Sequence, residues 1–195
     1  MSERIGEVIE ASTTEFIAQS YELHQAPPFG GFVRASDGAV DIFGIVCFTQ
    51  TCGVDPGRRP IARGKEEVDE EDIYRNNPEL PELLRTEFTV AVVGFRDGAD
   101  FCQYLPPRPP RIHGFVHACS GDEIRALTGD LDFLQRLVSA NVRASVDELI
   151  AAALRQASAT YSDERAFLVR AGKELAVLLV NDVNRLNGIL RRIRR

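Results

Sequence analysis

The chain has 195 residues, 44% of them hydrophobic and 27% charged, which suits one domain with an appendage or two small domains with real cores. Its formal net charge of −6 argues against a general nucleic-acid binder, because phosphate recognition needs a basic footprint, although a local basic patch remains open. No early apolar run follows a basic start and no apolar stretch reaches the ~18 residues of a membrane span, so neither a secretory leader nor a transmembrane helix is expected. Four scattered cysteines suit reduced thiols and a cytoplasmic setting.

In chain order, residues 1–50 read as β structure. ERIGEVIEAS, EFIAQSYEL, GGFVRAS and VDIFGIVCFTQ are short segments of alternating or apolar character. They are separated by Pro27-Pro28, Gly30-Gly31 and Asp37-Gly38, the last a hairpin signal. Four strands at this spacing predict a small barrel or sandwich.

Residues 53–77, GVDPGRRPIARGKEEVDEEDIYRNN, interrupt the pattern. Arg58, Arg59, Arg63 and Lys65 come first, then Glu66, Glu67, Asp69, Glu70, Glu71 and Asp72. A loop longer than ~12–15 residues inside a compact domain is usually functional or disordered. Three readings stay open: an anion or nucleic-acid contact through arginine forks at the Asp55-Pro56-Gly57 turn, a protein interface, or a loop that pairs its own charges. Ile73, Tyr74, Leu80, Leu83 and Leu84 predict partial order, packed over one barrel opening.

NPELPELLRTEF predicts a short turn of helix. TEFTVAVVGFR then reads as a strand that ends in a second hairpin signal, Asp97-Gly98, with FCQYL returning from it. PPRPPRI carries four prolines in seven residues and predicts an extended connector rather than a central strand. HGFVHACS reads as the last strand.

From residue 120 the pattern turns helical. Ser120 with Glu123 and Ser145 with Glu148 both fit capping boxes. Helices are expected over about 121–128, 131–139 and 146–159, with a long final one from 163. Its apolar stripe runs Leu168, Ala171, Leu175, Leu179, Val183, Leu186, Leu190 and Ile193, with Asn181-Asp182 or Gly188 as possible interruptions. Uninterrupted, the stripe spans ~39 Å, so part of it should overhang a small barrel and need a partner; the alternative is that helices over 121–159 fold back and cover it completely. The fold class is therefore α+β: an antiparallel barrel over 1–119 with a charged insertion at about 53–85, then a helical region over 120–195. Ile5, Val8, Val33, Ile45, Val90 and Val92 are expected in or near the barrel core.

The first 50 residues resemble the HAS barrel, the β-barrel at the N-terminus of HerA-type DNA-translocating ATPases and of rotary ATP synthase subunits. The resemblance rests on Ile5-Gly6-Glu7-Val8, Gly30-Gly31-Phe32-Val33 and Phe43-Gly44-Ile45-Val46. Glycines there let strands bend and approach at barrel corners. DPGRRPIARGK, EEDIYRNNPELPELLRTEF, QYLPPRPPRIH and LVRAGKELAVLL are similar to cyanobacterial-type HAS-barrel proteins that lack the ATPase domain. The resemblance implies an interaction or assembly role, with a separately encoded ring ATPase as a partner. It brings no reaction. No G-x-x-x-x-G-K-[ST] occurs, and Ala171-Gly172-Lys173-Glu174 falls mid-helix, so no nucleotide site is expected.

Other chemistry is thin. His113 and His117 lie ~13 Å apart along a strand, too far to share an ion. His117 and Cys119 share a face, with Cys47 or Cys52 as a third candidate, against the plainer reading of packing and surface residues; no metal or other cofactor is expected. Cys52 beside Arg58 and Arg59 is the one candidate thiolate, against an inert cysteine at a strand end. No base, nucleophile and oxyanion donor assemble, so a non-enzymatic protein is expected. Candidate interaction residues are Arg58, Arg59 and Arg63 in the insertion, and Leu186, Leu190, Ile193, Arg194 and Arg195 at the end of the last helix. The leading role is protein interaction, including self-association through the C-terminal helix. The alternative is a nucleic-acid-contacting accessory of DNA processing that uses the same arginines.

Overall fold

A computed structural model describes residues 3–194. Strands β1 (Arg4–Ala11), β2 (Glu15–Ser20), β3 (Phe32–Ser36), β4 (Asp41–Gly53), β5 (Leu84–Asp97), β6 (Asp100–Cys102) and β7 (Phe115–Ala118) form one antiparallel sheet. Its order is β2-β1-β7-β3-β4-β5-β6, and a β2–β5 pairing closes the first six strands into a barrel. Strand β6 is an extra, added to β5 beyond the part that β2 covers. The two hairpin signals lie at the β3–β4 and β5–β6 turns, the first with Gly38 at φ 96°, a conformation open to glycine. The proline-rich connector carries no strand and is tied beside the β3–β4 turn by Arg111 N to Ser36 O at 3.0 Å.

Strand alternation sends side chains to two separate cores. Val8, Phe16, Val33, Ile42, Val46, Phe88, Val90, Val92 and Val116 fill the barrel, and Ile5 packs against them. Phe43, Ile45, Cys47, Ala91 and Val93 point outward from β4 and β5 into a second core built with the helices. Ile45 therefore belongs to the outer layer. The β4–β5 pairing passes from Phe43–Gly94 to Gly44–Val92, so β5 holds one extra residue there; the alternation shifts, and Phe95 joins the interior. Burial on both faces explains why these two strands read as nearly continuous apolar runs.

The helical layer comprises α3 (Gly121–Leu127), α4 (Phe133–Val138), α5 (Val146–Ser158), α6 (Glu164–Leu178) and α7 (Val183–Ile193). The Ser120–Glu123 capping box is formed, and Glu123 also receives Arg34 Nε of β3 at 2.9 Å, fixing α3 to the barrel. Ser145 stands at the N-cap of α5 but makes no side-chain cap bond, contrary to expectation. The long final helix is two helices. Asp182 accepts from the Arg185 N–H and starts α7 after a break at 179–182. The stripe consequently folds back on α5: Ala171, Leu175, Leu179 and Ile193 are buried in the outer core together with Ile189, which lies off the stripe, whereas Leu168, Leu186 and Leu190 are partly buried and Val183 is exposed. The ~39 Å overhang does not exist, because an N-capping aspartate ends the helical run that periodicity alone would continue.

The insertion sits at the tip of the β4–β5 hairpin. From Thr51–Thr86 to Gly53–Leu84 the hairpin is a ribbon of those two strands, carrying α1 (Glu70–Asn76) and α2 (Leu80–Leu83). Neither helix holds a fully buried residue, and Ile73, Tyr74, Leu80, Leu83 and Leu84 belong to neither core. The set does not cap the barrel. The arm is tied to the body by His24, whose Nε2 lies 2.8 Å from Tyr74 Oη and whose N–H donates to Thr86 Oγ1 at 2.8 Å; the Thr51–Thr86 hydroxyl pair at 2.8 Å joins the two strands at the base of the ribbon.

Candidate functional site: two partner-facing surfaces

The first surface is the groove between α6 and α7. Leu168, Val169 and Ala176 of α6 face Leu190 and Ile193 of α7 across a cleft of about 870 Å³. Gly172 lies opposite Leu190; a methyl group there would stand 3.3 Å from Leu190 Cδ2. The Gly172-Lys173 pair lies in mid-α6 and both residues line the groove. Glu164, Arg165 and Arg194 complete a charged rim. Val169 is 51% exposed, and Val177, Val180 and Val183, nearer the α6–α7 turn in sequence, are exposed as well.

Three of the C-terminal candidates, Leu190, Ile193 and Arg194, come together here. Ile193 is buried and serves as floor, Leu190 is half-buried, and Arg194 is exposed. Leu186 is half-buried against the outer core and does not line the groove, while Arg195 lies outside the described residues. Arg192 reaches Glu148 of α5 and so pairs within its own helical layer. Sequence periodicity missed Val169, Val177 and Val180, which fall off the buried stripe. Exposed valines on a helix already satisfied along another face were the available signal.

The second surface is the arm. Arg58, Arg59 and Arg63 line a cavity of about 550 Å³ with Val54, Ile61 and Leu83. Gly57 N–H donates to Asp55 Oδ1 at 2.9 Å and shapes the turn that presents the arginines. Arg63 is held by Glu79 Oε1 at 2.6 Å and Asn77 Oδ1 at 2.7 Å; this pairing and the backbone turn keep the Glu79 carboxyl below its usual range, the backbone contribution being the larger. Arg75 pairs with Asp72 within α1, and Glu67 accepts from Asn76 Nδ2 at 3.0 Å. Among the described residues, Arg58, Arg59 and Lys65 have no ion-pair partner, nor do Glu66, Glu70 and Glu71. The self-paired reading thus holds for Arg63 and Arg75 alone.

The His/Cys candidates disperse. His113 takes φ 64° and turns its Nδ1 to Glu7 Oε1 at 2.5 Å. His117 lies within β7, between Arg4 of β1 and Arg34 of β3. Burial, then the nearby Glu123 carboxylate, pushes the Cys119 thiol up, away from thiolate chemistry. Cys47 is buried and its thiol is pushed up to about 11 by the same desolvation. Among the described residues no three His, Cys, Asp or Glu side chains gather as metal ligands. Also among them, no helix is long and apolar enough to cross a membrane.

One group unforeseen from sequence is Arg136 of α4. Its Nε is buried without a hydrogen-bond partner, burial pushes the guanidinium pKa down, and the residue lines a cavity of about 520 Å³ with Thr14 and Asn141. No sequence signal marks an arginine in the last turn of a short helix as desolvated.

The chain matches no known protein-family model and no curated protein.

Proposed function

We propose that the protein is a non-enzymatic interaction and assembly module, a HAS-barrel-type scaffold that offers the α6–α7 groove to a protein partner. The observation that carries this reading is the groove itself, an apolar floor with a charged rim, on helices that also expose Val177, Val180 and Val183. Fully buried interface cores are apolar and their rims polar, and monomers rarely leave large contiguous apolar patches uncovered. A cleft between two helices suits an amphipathic helix laid along it, with anchors at i, i+3 or i+4 and i+7. A separately encoded HerA-like ring ATPase is the partner that the barrel resemblance implies.

Val169→Glu with Ala176→Glu tests this. Both side chains are exposed, so the fold should survive, while two carboxylates on the groove wall would be desolvated by an apolar partner. Co-purification with the ring ATPase of the same cell should be lost in the double variant and retained in wild type. Equal capture by both would remove the groove from the reading.

The nucleic-acid alternative is favoured by one observation, the unpaired Arg58 and Arg59 on the arm. It predicts duplex binding that falls steeply with salt, with a shallower slope after Arg58→Glu and Arg59→Glu.

A further inference from the structure

We infer that the charged arm is a self-recognition device: the arginine-lined cavity of one chain receives the acidic Glu66–Asp72 segment of a second copy.

The argument begins with charges left over after local pairing. The arm folds so that its basic and acidic blocks do not neutralise each other. Arg58 and Arg59 stand at a cavity whose wall is mainly apolar, from Val54, Ile61, Leu80 and Leu83, with the acidic residues Asp55 and Glu82 also in its lining. Ile61 is 77% exposed there. A cavity with such walls and cationic edges fits an apolar side chain flanked by carboxylates.

The chain carries such a segment. Val68 is 99% exposed, the most exposed large apolar residue among those described, and it sits within Glu66-Glu67-Val68-Asp69-Glu70. Nothing in its own chain covers it. Glu66, Glu70 and Glu71 are without ion-pair partners among the described residues, as are Arg58, Arg59 and Lys65, while Glu67 and Asp69 make hydrogen bonds within the arm and no ion pair. Both halves of the contact lie on one arm, so a two-fold axis satisfies both at once: the acidic segment of each chain meets the cavity of the other. Two copies need no further component.

The pairing is distinct from the α6–α7 groove, so Val169→Glu with Ala176→Glu leaves it intact and each reading can fail alone.

The test is a charge-swap series in the full chain, read by sedimentation equilibrium at concentrations up to the millimolar range. Variant A carries Arg58→Glu and Arg59→Glu, and variant B carries Glu66→Arg and Glu70→Arg. Wild type should sediment at twice the 21.6 kDa chain mass. A and B should each dissociate roughly 10–100-fold more readily, since each places like charges at both junctions of the dimer. Mixing A with B should restore the doubled mass, because every junction in the mixed pair is again complementary. The mixed pair also guards against misfolding, as unfolded arms would not rescue one another. A monomeric wild type, dimers unaffected in A and B, or no recovery on mixing each overturns the inference. So does a monomeric wild type whose arginines are needed for duplex DNA binding, which would make the ligand a polyanion.

Discussion

Replacing Gly30 by alanine should separate the barrel from the helical layer. Gly30 precedes β3 with φ 82°, and its N–H donates to Val46 O of β4 at 2.8 Å. A Cβ built there would lie 2.6 Å from Ala152 Cβ, 2.7 Å from Ala152 C and 2.8 Å from Ala153 N, all in the middle of α5. The left-handed backbone costs an L-residue roughly 1–2 kcal/mol. Overpacking against α5 adds roughly 1–3 kcal/mol, because helix backbone cannot rotate away as a flexible side chain would. The sum, about 2–5 kcal/mol, is a large share of the ~5–15 kcal/mol that stabilises a typical domain. With a urea m-value of ~2 kcal/mol/M the unfolding midpoint should fall by roughly 1–2.5 M. Ala152→Gly in the same background removes the nearest obstacle and leaves the two backbone contacts and the φ cost. A double-mutant cycle should therefore recover only about 0.5–1.5 kcal/mol. A Gly30→Ala variant within ~0.5 kcal/mol of wild type, the range of an ordinary surface substitution, would refute the reasoning.

The remaining expectations concern pH, thiol chemistry and the two surfaces. Asp37, its side chain 3% exposed, accepts the Val40 and Ala39 N–H groups at 2.9 and 2.7 Å and pairs with Arg108; these contacts, the Val40 N–H foremost, hold its carboxyl below the usual range. A depressed carboxyl stabilises the fold fully above its unfolded value near ~4 and loses that contribution as pH falls through the lower folded value. Asp37→Ala should cost about 1.5–3 kcal/mol at neutral pH and flatten the acid limb of a stability–pH curve; an unchanged limb contradicts the assignment. Cys47, with its thiol near 11, is about one part in a thousand thiolate at pH 8 and should react with a disulfide reagent only as fast as the protein unfolds. Rapid native-state labelling of Cys47, located by peptide mass, counts against that burial. Glutamates at 169 and 176 should abolish ATPase co-purification without changing the circular dichroism spectrum. The charge-swapped arms should be monomeric apart and dimeric together.

Local chemistry carried much of this fold. Asp37-Gly38 and Asp97-Gly98 mark their hairpins wherever they occur, because turn geometry depends on the residues in the turn. Ser120 with Glu123 announces α3, and the change from two-residue to helical periodicity near 120 separates strands from helices. Alternation also marked Val8, Val33, Val90 and Val92 as barrel interior. Tertiary structure decided the rest. That Ile45 faces helices while Val46 faces the barrel depends on which side of the sheet α5 covers, and β4 reads as apolar on both faces. The 3–4 spacing of the last stripe continues across Asp182, so sequence left Asn181-Asp182 and Gly188 both open as interruptions; the capping bond from Arg185 N–H to Asp182 sets the break at the first, and Gly188 lies inside α7. In the arm, sequence supplied the opposed charges, but which of them meet is a matter of distances between loop and helix. Arg63 reaches Glu79, and Arg58 and Arg59 reach no carboxylate of their own chain among the described residues. Composition fixes how many charges a segment holds, whereas only the folded backbone fixes which of them lie within the few ångströms at which an ion pair forms.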